Sequence, residues 1–314
     1  MLPFKVPFQP ITSGFKIKHG DQLIFLGSCF SDEMSLKAQF YGFERLSNPF
    51  GTIFHPDVIA RNIKDALNFK DISNRIYQRE DLFFSWDASG TIFGYSEDSL
   101  KEKLRAIQIE LVEKLKFSKV LFITFGTAWG YSLIENDLTV ANCHKLKQSS
   151  FQKKLADIDL LEKEWSLIID LVLKLNPELK IVFTVSPVRH IKDGLIENNQ
   201  SKAILVELVR RLNILETVSY FPSYEIINDE LRDYRFFKKD GVHPNEDAID
   251  YVWSKFELMY MTSETITLNN SVQRLRLSEG HKSLYEKSDE YLKFVEKHQK
   301  DKKLFLEQYS CIKW

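Results

Sequence analysis

Several things that this chain of 314 residues lacks narrow its reading before anything present is considered. No segment approaches the ~18 uninterrupted apolar residues of a membrane helix, so no span is expected. The N-terminus, MLPFKVPFQPITSGFKIKHG, has prolines but no apolar core of signal-peptide length, and a secreted precursor is not expected. Neither charge sign is in excess: 43 basic residues face 44 acidic ones, for a formal charge of −1. A partner chosen for its negative charge, nucleic acid or an anionic membrane, is therefore not expected. Cysteine is sparse, with Cys29, Cys143 and Cys311 an odd and widely spaced set. That favours reduced thiols and a cytoplasmic setting over a disulfide framework. There is no Cys-x-x-Cys or His-x-x-x-His spacing. The adjacent pair Cys143-His144, with His55 and His190 far off in sequence, does not make a closed metal site, and neither metal nor cofactor is expected. Internal repeats and low-complexity stretches are also missing.

What is present is rich in phenylalanine, 24 residues against only 12 glycines, which points to an aromatic core. Short apolar runs alternate with stretches of helical period. Strands are expected at 22–27, weakly at 43–46, then at 119–125, 180–185 and 218–221. Helices are expected at 56–69, 100–117, 159–176, 200–212 and 246–261, the third with a capping box of Asp159 and Glu162. This alternation implies an α/β fold, a doubly wound and mostly parallel sheet. Phe83–Trp86 and Thr91–Tyr95, flanking Asp87-Ala-Ser-Gly90, predict a β-hairpin inserted at the edge of that sheet. Beyond residue 261 the composition shifts, dividing the chain into a domain at 1–261 and a helical extension at 262–314. Within the extension, 278–304 predicts one helix whose stripe of Leu284, Tyr285, Tyr291, Leu292 and Val295 faces protein, either the core or a second copy in a homo-oligomer.

Ligands of open parallel sheets bind beyond the carboxyl ends of the strands. The segments that follow the expected strands are Gly27-Ser28-Cys29-Phe30-Ser31, Asn48-Pro49-Phe50-Gly51, Gly126-Thr127-Ala128-Trp129-Gly130, Ser186-Pro187-Val188-Arg189-His190 and Asp240-Gly241-Val242-His243-Pro244. One carries candidate nucleophiles, and one carries a histidine three residues after an acid. Asp240 and His243 suit an orienter and a general base. Arg189 and His190 suit substrate recognition. Arg232-Asp233-Tyr234-Arg235 suits an ion-pair cluster that fixes the His243 loop.

This combination resembles the SGNH (GDSL-like) hydrolases, and within them the GSCFA family, whose motif stands here as Gly27-Ser28-Cys29-Phe30-Ser31. Asn48–Thr52, Phe125–Trp129, Val140–Lys145, Val185–His190 and Arg232–Phe236 with Asp240–His243 are similar to that family too, and together they span roughly residues 5–260. The resemblance implies a nucleophile just after the first strand. The third-residue register of the superfamily places Cys29 there, and Ser28 takes the role if the chain turns one residue earlier. It further implies oxyanion donors from the nucleophile's own N–H and that of Gly51, with a third after strand 119–125. The superfamily's asparagine is replaced there by Ala128 in Gly126-Thr127-Ala128, which leaves Asn142, Asn48 or Thr127 to substitute. A thiol beside a histidine at a helix N-terminus is expected to ionise readily. The implied activity is a hydrolase or acyltransferase working on an acyl ester of a carbohydrate or small metabolite. The alternative is a binding protein on an inactivated scaffold of the same fold.

Overall fold

A computed structural model describes residues 6–213, 215–280, 284–285 and 288–314. The chain opens with β1 (Gln22–Gly27), α1 (Cys29–Phe40), β2 (Glu44–Ser47) and α2 (Pro56–Leu67). An insertion of β3 (Ile76–Arg79), β4 (Leu82–Ser85) and β5 (Phe93–Gly94) leads to α3 (Glu97–Phe117) and β6 (Val120–Phe125). Next come β7 (Trp129–Leu133), β8 (Phe151–Leu155), α4 (Ile158–Leu175), β9 (Lys180–Val185), α5 (Leu195–Leu212) and β10 (Val218–Tyr220). A short α6 (Ser223–Glu225) and a π turn precede α7 (Glu246–Tyr260), α8 (Ser263–Glu279) and α9 (Asp289–Gln308).

The main sheet is parallel throughout, in the order β10-β9-β6-β1-β2. Counted along the chain this is the 2-1-3-4-5 order of a doubly wound fold, and its order reverses between β1 and β6. Alternation along the strands builds two cores. Ile24, Leu26, Leu121, Ile123, Phe125 and Phe183 face the layer containing α2, α3, α4 and α5. Leu23, Phe25, Val120, Phe122 and Val182 face the layer containing α1 and α7. Both layers are aromatic: Phe125 lies on Phe183 at 5.4 Å and Trp165 at 5.0 Å, and Phe122 on Phe256 at 5.9 Å. Each large side chain buried in this way contributes about 1.5–3 kcal/mol. No helix among the described residues is long and apolar enough to cross a membrane.

The insertion departs from expectation. It is a separate antiparallel sheet in the order β3-β4-β5, not an edge of the main sheet. Its tight turn lies between β3 and β4, where Glu80 adopts φ +55°, while Phe83 and Phe84 pair with Gly94 and Phe93 as the hairpin reading required. Buried Asp87 anchors it, pairing with Arg61 of α2 at 2.9 Å and with Arg75 at 2.5 Å. A second small sheet, β7 with β8, was not anticipated. Helix α4 is capped by Asp157, which accepts from the N–H groups of Asp159 and Leu160. Asp159 and Glu162 pair with Arg211 instead of forming a box.

The expected helix at 278–304 is interrupted. Helix α8 ends at Glu279 and α9 starts afresh at Asp289, capped by the Ser288 hydroxyl. Residues 281–283 and 286–287 of the expected helix lie outside the described residues. Leu284 is 96% exposed, Leu292 55% and Tyr285 75%, whereas Tyr291 and Val295 are half-buried. Instead of the expected stripe, Phe294, His298 and Phe305 of α9 line a groove shared with Leu275 and Ser278 of α8.

Gly27 ends β1 at φ +125°, where a Cβ would collide with the Thr124 carbonyl of the adjacent strand. Gly27→Ala is expected to cost about 3–5 kcal/mol, from backbone strain plus overpacking. Urea denaturation followed by far-UV circular dichroism checks it.

Candidate active site

The loops that follow the carboxyl ends of β1, β2, β6 and β9, with the loop before α7, enclose a cleft of about 650 Å³. It opens beside the reversal point of the strand order, where doubly wound sheets bind ligands. Cys29, Thr127, Arg189, His190, Asp240 and His243 all line it. Gly51, Asn48, Gly126, Asn142 and Ser28 do not.

Local bonding explains the difference. Gly27 turns the chain so that Ser28 becomes the N-cap of α1 and Cys29 its first residue. Ser28 is 1% exposed, and its hydroxyl has no hydrogen-bond partner. Asn48, at φ +39°, is a strut: its Oδ1 accepts from the Gly27 N–H at 2.7 Å and its Nδ2 donates to Asp32 at 2.8 Å. Asp32 also accepts from the hydroxyls of Ser47 at 3.1 Å and Thr52 at 3.0 Å. The Gly51 N–H is consumed by the Asn48 carbonyl at 2.7 Å. That turn leaves the next residue, Thr52, in the cleft with an N–H that has no acceptor among the described residues. Asn142 is exposed and accepts from the His144 N–H at 2.7 Å.

After β6 no N–H remains free. Those of Gly126 and Thr127 both donate to the Phe54 carbonyl, at 2.9 and 3.2 Å. That of Ala128 donates to the Ser201 hydroxyl at 2.7 Å, and that of Trp129 to the Thr127 hydroxyl at 3.0 Å. The Thr127 hydroxyl is further bonded to Ser201 at 3.1 Å. The third oxyanion donor that the resemblance implied is therefore not supplied by this segment.

The loop before α7 brings Asp240 and His243 together, Nδ1 to Oδ2 at 2.7 Å. The N–H groups of His243 and Val242 hold the Asp240 carboxyl down at about 2, with the imidazole bond adding to them. His243 Nε2 has no hydrogen bond among the described residues. The loop is braced by Arg189, which donates to the Gly241 carbonyl at 3.4 Å and lies 4.5 Å over Phe237. The expected ion-pair cluster at 232–235 does not do this. Its Arg235–Asp233 pair is exposed at 3.7 Å and worth little. His190 packs edge-to-face on Phe54, and burial, then the charge on Lys202, lower its pKa to about 4, so it is neutral. Away from the cleft, His144 bonds the Ser85 carbonyl at 2.8 Å within a nest of Tyr77, Phe84 and Trp86.

The Cys29 thiol departs from expectation. Burial pushes its pKa up, and Asp32 and Glu33 push it further, while the N–H groups of Phe30 and Cys29 at the helix terminus oppose them only in part. At neutral pH the thiol is protonated.

Three helix positions that sequence reading missed organise this end of the sheet. Asn198, Ser201 and Lys202 of α5 are all buried. Asn198 Oδ1 accepts from the His190 N–H at 3.0 Å, Ser201 grips the segment after β6, and Lys202 donates to the carbonyls of Gly126 and Ser186, both at 2.7 Å. The signal was there: 198, 201 and 202 continue the stripe of buried Leu205, Leu208 and Val209.

Residues 22–256 match the GSCFA family. The chain belongs to it. No curated protein matches this GSCFA-family chain. Among solved structures it is similar to a carbohydrate esterase family 3 from Talaromyces cellulolyticus, at 8% identity over 80% of this chain and 99% of that one, with TM-score 0.38. It is similar also to a Clostridium thermocellum family 3 carbohydrate esterase, at 11% identity over 80% and 98%, with TM-score 0.36. The periplasmic domain of a Salmonella ser. Paratyphi A lipopolysaccharide acetyltransferase matches at 11% identity over 77% and 84%, with TM-score 0.36.

Because Asp32 opposes ionisation of the neighbouring thiol, Asp32→Asn is expected to lower the pH at which Cys29 becomes reactive. Peptide-resolved alkylation by iodoacetamide across about pH 6–10 checks the sign. A midpoint that stays put or rises contradicts it.

Proposed function

We propose that this GSCFA-family protein is an acyl hydrolase or acyltransferase that works through a thioester on Cys29. One observation carries the reading: Cys29 and a carboxylate-bound histidine, His243, face the same cleft. Asp240 fixes the proton on His243 Nδ1, which leaves Nε2 as the acceptor. With the thiol protonated at rest, proton transfer accompanies attack instead of preceding it. The Cys29 proton passes to His243 Nε2 as Sγ bonds the acyl carbon and the carbonyl electron pair moves onto oxygen. The N–H groups of Cys29 and Thr52, which have no carbonyl acceptor among the described residues, are the donors available for that oxyanion. Collapse expels the alcohol, which takes its proton from His243. Water or a second alcohol then attacks the thioester, with His243 again accepting a proton; collapse breaks the C–S bond, and the Cys29 sulfur takes that proton back from His243 as the acid or new ester leaves. Trp129, Tyr131 and Phe54 on the walls suit the ester of a carbohydrate or small metabolite. The three unpaired cysteines suit a cytoplasmic setting.

The binding-protein reading keeps one supporting observation, the full consumption of N–H donors after β6. A panel of p-nitrophenyl esters and thioesters separates the two. Cys29→Ala and His243→Ala are each expected to lower turnover by about a thousandfold or more. Ser28→Ala should stay active and, because it removes only an unsatisfied hydroxyl, change stability by less than about 1 kcal/mol. The trapped acyl group should sit on the Cys29 peptide and come off in neutral hydroxylamine. Acylation at Ser28 transfers the role to that residue, and ligand binding without turnover favours the inactivated scaffold.

A further inference from the structure

The cleft that holds Cys29 and His243 is also lined by Arg189, Lys192, Asp193 and Asp240, two cations and two acids. Both acids are engaged within the protein. Asp193 pairs with Lys153 of β8 at 2.5 Å, and that ammonium lies 4.7 Å over the Trp129 ring in the cleft wall. Asp240 is bonded to the N–H groups of Val242 and His243 and to the His243 ring. The acids of α1 beside Cys29 are engaged as well, Asp32 by the side chains of Ser47, Asn48 and Thr52, and Glu33 by Lys238 at 3.1 Å. His55 and His190 line the cleft too, and burial keeps both neutral. The two cations are different. No carboxylate lies within ion-pair distance of Arg189 or Lys192 among the described residues. The half-buried Arg189 guanidinium lies 4.5 Å from the centre of the Phe237 ring and 5.5 Å from that of Tyr234. It donates to two neutral oxygens, the Gly241 carbonyl at 3.4 Å and the Asn228 amide at 3.2 Å, which leaves most of its five N–H donors unspent. Lys192 follows three residues later on the same loop, exposed at the cleft's edge. A guanidinium fork matches a carboxylate or a phosphate, and the walls of a cleft concentrate the field of such cations.

We propose that the cleft takes an ester bearing a negative charge, a carboxylate or a phosphate elsewhere in the molecule, and that Arg189, aided by Lys192, is the specificity-determining residue that binds this charge. The inference rests on the acyl-transfer reading for its chemistry and gives that reading a substrate class. Arg189 serves two ends at once, because the guanidinium that meets the anion also holds the Gly241 carbonyl of the loop carrying Asp240 and His243. The anion and the base are thereby fixed relative to one another.

Iodoacetate and iodoacetamide alkylate a thiolate through the same carbon and differ in charge, so their rate ratio at Cys29 reads the charge of the cleft without turnover. Each rate is followed by peptide mass spectrometry, and the ratio is divided by that of the neutral thiol N-acetylcysteinamide. At low salt the normalised ratio is expected at about ten, falling toward unity as salt screens the field. Lys192→Gln should lower it about threefold and Arg189→Gln should bring it close to unity, while Arg189→Lys keeps most of it. Loss of a mere loop brace changes both rates together, so a purely structural Arg189 leaves the ratio unmoved. That outcome, or a wild-type ratio no greater than that of the free thiol, overturns the proposal. If Arg189→Gln does not fold, Lys192→Gln and the salt series decide in its place, and a ratio that neither one moves overturns it as well. Slower iodoacetamide labelling of Cys29 in succinate than in inorganic phosphate of equal ionic strength assigns the charge to a carboxylate, and the reverse order to a phosphate. A raised, Arg189-dependent ratio in a protein that turns over no ester leaves the anion site standing and sinks the acyl-transfer reading. Turnover of neutral esters through Cys29, with a ratio at unity, keeps that reading and sinks the anion site.

Discussion

The Asp32 carboxylate is the constraint on which the rest of the site depends. It collects donors from Ser47, Asn48 and Thr52, and through Asn48 it also fixes the N–H of Gly27. The turn after β1 and the turn after β2 are thereby one rigid unit, and that unit decides which backbone groups face the cleft. Thr52 presents its N–H because the preceding turn has used up that of Gly51. Cys29 reaches the cleft and Ser28 does not, because Gly27 accepts a backbone conformation that only glycine adopts freely. The same carboxylate carries a cost for chemistry, since its charge opposes a thiolate one helical turn away. Order and reactivity conflict at a single residue.

Charge of the other sign is supplied at the head of the same helix. The helix terminus supplies partial positive charge through the N–H groups of Cys29 and Phe30. Helix α5, through Lys202, Ser201 and Asn198, fixes the segments after β6 and β9. One polar stripe on one helix therefore sets the geometry of two loops.

How much of this could be read from the sequence follows from which interactions are local. The parallel sheet was legible because Leu23–Leu26, Val120–Phe125 and Ile181–Val185 are near-continuous apolar runs, the signature of strands buried on both faces. β7 and β8 were not, because the seventeen or so residues between them give no short-turn signal of a hairpin. The Asp240–His243 pair was legible because the acid and the base share one loop, three residues apart. Free N–H groups were not legible at all. Whether Gly51 or Thr52 has a donor to spare is settled by turns and by carbonyls distant in sequence, such as the Phe54 oxygen that absorbs two donors from the segment after β6. Lys202 stayed hidden for another reason: a lysine inside a helix is normally a solvated one.

Under the proposed acyl-transfer reading, the consumed donors after β6 and a thiol nucleophile bear on each other. A serine alkoxide is a strong base, and attack by serine builds up charge that a three-donor oxyanion hole is well placed to stabilise. A thiol gives up its proton more easily and, through a thioester, leaves more easily. With the segment from Gly126 to Trp129 tied to Phe54, Ser201 and Thr127, the N–H groups of Cys29 and Thr52 remain without a carbonyl acceptor among the described residues. A nucleophile that needs less assistance at the oxyanion suits a site with fewer donors. Under the proposed reading the exchange is consistent within the one structure: where the chain carries Ala128 in place of a side-chain donor, it carries a sulfur at the head of α1.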